Sequence, residues 1–164
     1  MKVEGKKFIS PLLCFDFYAE HYHKLIKQFR KDTDLSQLRS ILKNGVVERD
    51  VENLIQLETY DAMVITDPYK NIVWVSDGFQ EMTGYSKSFA IGKSPHFLQG
   101  VQTSESTKQK IREQLKTEHT FTGSVLNYRK NGEPYLCQIK IVPIYDSKRM
   151  LVNFLALEKE LLAA

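Results

Sequence analysis

Cys14 and Cys137 are the only thiols in the 164-residue chain, and their separation matches no metal-binding or redox spacing. Reduced cysteines in a cytoplasmic protein are therefore expected. His21 and His23 stand two apart, so on a helix they point to different sides and make no metal pair. Asp61 and Asp67, near a β-branched run, read as turn and cap residues. The chain holds no phosphate-cradling glycine loop, no metal-ligand cluster and no nucleophile–base constellation, so an enzyme is not expected. A nucleic-acid partner is not expected either. The net charge of +3 is mild, charges of both signs are interspersed, and no recognition motif is present.

The elements that must position the remaining polar residues belong to a globular chain, with 42% hydrophobic and 26% charged residues. The length suits one domain with an appendage. Residues 1–7 lead into no long apolar run, which predicts no signal peptide. No segment approaches the roughly 20 apolar residues that span a bilayer, and no membrane partner is expected.

Ser10-Pro11 reads as a helix N-cap and first-turn proline. Phe15, Tyr18, Tyr22, Leu25, Ile26 and Phe29 then recur every three or four residues as one apolar stripe. Asp34-Leu35-Ser36-Gln37 has the form of a capping box, so a second helix is predicted from Asp34, ending at Asn44-Gly45. A third, over about 47–58, would use Val47, Val51, Leu54, Ile55 and Glu58. Residues 1–58 thus read as a helical extension, a hydrophobic cover or a dimerisation element or both.

From residue 59 the pattern turns to short β-branched runs, Met63–Thr66 and Ile72–Val75, joined by a turn-forming stretch. Short helical turns follow between glycines. Thr103 or Ser104 should cap a helix carrying Ile111 and Leu115, and strands are expected at about 120–129, 134–145 and 150–158. Lys130-Asn131-Gly132 marks a hairpin with two possible registers. A two-residue turn pairs Asn127 with Leu136. A three-residue loop with left-handed Gly132 and a bulge pairs Asn127 with Cys137, Val125 with Ile139 and Gly123 with Ile141. Only the second yields a single apolar inner face, which Val152, Phe154, Ala156 and Glu158 would join. The opposite face, with Leu126, Tyr128, Leu136, Val142, Leu155 and Leu157, is also partly apolar and needs a cover of its own.

Together with Val64-Ile65-Thr66-Asp67, Met82-Thr83-Gly84-Tyr85, Lys110-Ile111-Arg112 and Asn127–Gly132, the segment Gly92-Lys93-Ser94-Pro95-His96-Phe97-Leu98-Gln99 resembles the motif Gly-x-Asn-Cys-Arg-Phe-Leu-Gln of LOV (light, oxygen, voltage) domains, the flavin-binding branch of the PAS superfamily. The resemblance covers about 100 residues. It implies an α+β fold over 59–160: a five-stranded antiparallel sheet with helices over one face, preceded by the helical extension and followed by a tail at 161–164.

The same resemblance implies the pocket positions. Gln99 and Asn127 match polar flavin contacts, and Arg112 matches a phosphate-binding arginine. Ser94 stands where the family has asparagine, and Pro95 where it has the photoreactive cysteine, so no thiol adduct forms there. His96 stands for a phosphate-binding arginine, Cys137 for a ring-binding asparagine and Glu158 for the switching glutamine. An ionised Glu158 only accepts hydrogen bonds, facing flavin acceptors at a cost of roughly several kcal/mol. The lost amide at Cys137 costs about 1–3 kcal/mol more. Each position also has a plain structural role open to it: Gln99 and Asn127 satisfying local polar groups, Arg112 solvated, Cys137 a small buried hydrophobe, Glu158 emerging into solvent at the strand end.

The expected function is a non-enzymatic sensory or protein-interaction module in signal transduction, with a small-molecule ligand or protein partner acting through the sheet and its helical cover. A cysteine-less photoreceptor or redox sensor using FMN is the first alternative, and the sensor part of a histidine-kinase-type pathway the second. Met1 reads as a true start and nothing catalytic follows residue 158, so output should pass to a separate signalling partner. A homodimer is expected through the helical N-terminus or the outer sheet face.

Overall fold

The computed structural model describes residues 11–42 and 49–161. No proline or glycine interrupts residues 12–41, and the stretch forms one 31-residue helix, α1 (Pro11–Ile41). The second helix predicted from Asp34 is therefore a continuation of the first. Asp34 is not a cap: it is buried in mid-helix, where its carboxylate accepts the Tyr60 hydroxyl at 3.1 Å. After α1 comes α2 (Arg49–Leu57), which buries Val51 and Ile55 as expected. The predicted roles of Ser10, Asn44-Gly45, Val47 and the tail beyond Leu161 lie outside the described residues.

Five strands follow: β1 (Ala62–Thr66), β2 (Ile72–Val75), β3 (Phe121–Tyr128), β4 (Pro134–Tyr145) and β5 (Leu151–Leu161). They form one antiparallel sheet in the order β2-β1-β5-β4-β3. β1 is buried along its whole length, because it is paired on both edges and covered on both faces. Ala62 and Val64 join the inner core, whereas Met63 and Ile65 join the outer one.

The inner face carries α3 (Asp77–Thr83), α4 (Lys87–Ala90), a 3-10 turn at Pro95–Leu98 and α5 (Glu105–Lys116). Ser104 caps α5 by accepting from the Thr107 N–H, while the buried Thr103 hydroxyl donates to the Leu126 carbonyl at 2.6 Å. α3 lies so close to the lead-in of β1 that a Cβ at Gly78 would sit 1.8 Å from the Asp61 carbonyl oxygen. The outer face is covered by α2 and the C-terminal part of α1, through Leu35, Leu38, Leu42, Val51 and Ile55 against Met63, Ile65, Leu155 and Leu157. The cover predicted from the apolar pattern is present over Val142, Leu155 and Leu157 but does not reach Leu136, which stays exposed. It is built from the second half of the helical stripe, not the first: Tyr18, Tyr22, Leu25 and Phe29 are exposed, Phe29 to 72%.

Lys130-Asn131-Gly132 form the three-residue loop, with Gly132 at φ 87°. Arg129 N–H donates to the Glu133 carbonyl and Gly132 N–H to the Arg129 carbonyl, each at 2.9 Å. The bulge is thus absorbed by Gly132 and Glu133 opposite Arg129, and the ladder starts two residues earlier on β4 than predicted. Asn127 faces Tyr135, Val125 faces Cys137 and Gly123 faces Ile139. A two-residue shift keeps the side-chain parity, so the predicted inner face of Val125, Cys137, Ile139 and Ile141 survives the wrong pairing. Val152 is a second correction. The β4–β5 register slips between Ile144 and Tyr145, which turns Val152 to the outer core and Leu151 to the inner one.

Candidate functional site

Alternation along the strands sends Val64, Val125, Ile139, Ile141 and Ala156 to the inner face, opposite Leu98 of the 3-10 turn and Ile111 and Leu115 of α5. Between them lies a cavity of about 120 Å³. Of the seven positions singled out in the sequence, Ser94, His96, Gln99, Arg112, Asn127 and Glu158 all line it. Cys137 does not. It is fully buried in the inner core, with its thiol directed to the Gln138 carbonyl at 3.6 Å.

The 3-10 turn sets the mouth. Ser94 precedes it in extended conformation with its hydroxyl making no cap bond, and Pro95 begins the turn. His96 Nδ1 lies 2.8 Å from Gln99 Oε1. That oxygen can only accept, so the histidine donates from Nδ1 and the amide nitrogen of Gln99 keeps its donors. Lys108 and Arg112 stand one turn apart on α5, both facing Glu105, at 2.7 and 3.9 Å. The Lys108 ammonium holds the Glu105 carboxyl below its usual range, with Arg112 adding to the effect. The Arg112 side chain is 51% exposed, so it is largely solvated at the rim. Lys70, from the β1–β2 turn, completes a basic mouth.

The deep end holds one carboxyl, Glu158, among apolar side chains. Asn127 on β3 is buried beside Tyr135 of β4, its direct cross-strand neighbour. Glu158 lies between Ala62 and Ile139 in the ladder, is 3% exposed, and its Oε2 has no hydrogen-bond partner among the described residues. Burial alone pushes its carboxyl up to about 7. It does not emerge into solvent at the strand end, because β5 runs three residues further, to Leu161. Burial, then the Glu158 charge, raises both the Tyr135 phenol and the Cys137 thiol, so both stay neutral and the thiol is unreactive.

Sequence reasoning missed Lys70, Lys108, Thr66 and Tyr135. Lys108 was findable from its i,i+4 spacing to Arg112. Tyr135 becomes visible only once the hairpin register is right. Among the described residues no group of His, Cys, Asp or Glu could hold a metal ion, and no helix is long and apolar enough to cross a membrane. What the arrangement offers is an apolar chamber, one orphaned acceptor at its base and cations at its rim.

A family model described as PAS domain matches residues 61–161. Among curated proteins the chain is similar to a blue-light photoreceptor of Listeria innocua, 41% identical over 101 residues, covering 60% of this chain and 40% of the relative. The chain thus spans less than half the length of the curated relatives it matches. Among solved structures it is similar to one described as "Flavin Analogue Sheds Light on Light-Oxygen-Voltage Domain Mechanism", at 30% identity and a TM-score of 0.63, covering 70% of this chain and 87% of that one. The PAS domain of the fruit-fly ELK potassium channel is also similar, at 36% identity and a TM-score of 0.60, with 68% of this chain and 95% of that chain covered.

Proposed function

The chain belongs to the PAS domain family and is of the LOV type, and from that premise we propose that it is a non-enzymatic sensory and interaction module in signal transduction. Occupancy of the inner cavity is relayed through the sheet to the helical cover on its outer face. One observation carries this reading: β1 and β5 present residues alternately to the two sides. Val64, Phe154, Ala156 and Glu158 line the cavity, while Met63, Ile65, Leu155 and Leu157 pack against α1 and α2. Both strands are fully enclosed there, and close-packed interiors transmit displacements. A ligand shifts such a pair of packings only by its differential affinity for them. Amide exchange in the cover of cavity-filled variants tests the relay.

A flavin is the cofactor that the LOV type implies, and the residues here do not fit it. The polar edge of a flavin ring presents carbonyl and ring-nitrogen acceptors beside one N–H. Glu158 meets them with an unpartnered acceptor oxygen, and Cys137, on the same inner face but off the cavity lining, offers a thiol where an amide would be needed. Each polar group left unpaired in such a site costs about 1–3 kcal/mol. The repulsion is relieved only when Glu158 is protonated, below about pH 7.

The partner reading is a second copy of the chain, joined along α1. Tyr18, Tyr22, Leu25 and Phe29 are exposed at alternating spacings of four, three and four, the repeat of a two-helix seam. Ala19, Ile26, His21 and Gln28 flank that seam, so no cluster of like charges opposes the approach of an identical helix. The solution mass of the chain and of seam variants tests this.

A further inference from the structure

We propose that the cavity takes a small, flat, apolar molecule bearing a nitrogen–hydrogen donor, which docks on the Glu158 carboxyl, and that this class of ligand replaces flavin as the signal. The inference rests on the sensory reading of the cavity. Its volume, about 120 Å³, is close to that of an engineered cavity of about 150 Å³ that binds benzene. One or two fused rings fill such a space.

The walls set the ligand's character. Val125, Ile139, Ala156, Leu98 and Ile111 offer no polar side-chain atom, so the body of the ligand must be apolar. Against them, on the lining, stands the buried Glu158 Oε2, to which no described residue donates; the other unpartnered buried oxygen, the Tyr135 hydroxyl, lies off the lining. The groups facing it from β4, Tyr135 and Cys137, stay neutral and bring no cation to it. A buried acceptor without a partner is a standing cost that a ligand N–H removes. Asn127, buried on the same wall, supplies both a donor and an acceptor for a second polar atom on the same edge. Of the cations at the mouth, Lys108 is neutralised by Glu105 and Arg112 is largely solvated, so neither requires an anionic tail on the ligand.

Indole and benzofuran separate the classes, since they have nearly the same shape and differ by the N–H. Titrated into the full chain by calorimetry, with thermal shift alongside, indole should bind at least about tenfold more tightly than benzofuran. Glu158→Leu should erase the difference while leaving an apolar cavity that takes both. Glu158→Gln, which keeps a carbonyl acceptor, should retain a reduced preference. Equal affinities in the unmodified protein, binding of neither, or stoichiometric retention of FMN through gel filtration would each overturn the proposal. Indole binding without any change in amide exchange in α1 and α2 upholds the ligand class and removes the relay. No indole binding, with exchange in α1 and α2 still altered by cavity-filling substitutions, does the reverse.

Discussion

The Tyr60 hydroxyl donates to the Asp34 carboxylate across 3.1 Å, joining the middle of α1 to the residue two before β1. Burial raises the Asp34 carboxyl, and the Tyr60 bond works against that rise by favouring the charged form. Tyr60→Phe removes the donor and leaves a buried carboxylate unpaired. A loss of about 1–3 kcal/mol is expected at pH 7 by urea unfolding. The loss should shrink on acidification, because Asp34 is then protonated in both proteins. A loss unchanged down to pH 4 would show that packing of the ring, and not the hydrogen bond, is what matters.

Glu158 gives the chain a pH dependence of defined sign. Its folded pKa of about 7 lies above the ordinary 4.5, so the folded state holds the proton more tightly than the unfolded chain. The associated stabilisation is full below pH 4.5 and is lost as pH rises through about 7, by on the order of 3 kcal/mol. Asp34 shifts in the same direction, so the comparison is between the unmodified chain and Glu158→Gln. The glutamine variant should be the more stable at pH 8 and about equal at pH 4.5. Parallel stability profiles across that range would contradict the burial of a titrating carboxyl.

Gly78 sits in a helix, where alanine ordinarily stabilises. Here a Cβ would stand 1.8 Å from the Asp61 carbonyl oxygen, a backbone atom that cannot swing aside. Gly78→Ala should therefore cost about 3 kcal/mol or prevent folding. Gly92→Ala, with open space around it but φ of 81°, should cost only about 1–2 kcal/mol. A chevron or thermal melt ranking Gly92→Ala as the worse change would refute the close approach of α3 to β1.

Much of this was legible before any coordinates. β-branched runs marked the first two strands, and the two-sided apolar sheet demanded a second cover, which Leu38 and Ile55 supply with full burial. The hairpin pairing was misread because the bulge at Gly132 lies inside the loop, not beyond it. Parity alone rescued the face assignment. The capping-box reading of Asp34 failed for a different reason: a local motif lost to a tertiary partner, Tyr60, 26 residues away. Within the site, the motif frame placed six of seven residues on the cavity. It could not show that Cys137 falls off the cavity lining, or that Glu158 has no partner, since both depend on how β5 seats against β4.

The flavin misfit is measurable directly. After incubation with FMN at pH 8 and gel filtration, the unmodified chain should elute without visible absorbance. Cys137→Asn combined with Glu158→Gln restores two amides and should raise FMN retention at least about tenfold. Retention by the unmodified chain equal to that of the double variant would remove the carboxyl as the reason for the misfit.

Along α1, Tyr22→Glu with Phe29→Glu places charge in the exposed seam. Light scattering should give a dimer for the unmodified chain and a monomer for the variant, with unchanged thermal stability of the sheet. A monomer in both would exclude the second copy as occupant.

Most directly, the relay is tested by filling the cavity and reading the opposite face. Ala156→Val and Val125→Ile each add bulk to the inner wall without touching the cover. Amide hydrogen exchange across α1 residues 30–41 and across α2 should change by about threefold or more in both variants, since local opening is sensitive to sub-kcal shifts in packing. Exchange that changes only in α3 to α5, with α1 and α2 as in the unmodified chain, would contradict a signal passing through the sheet.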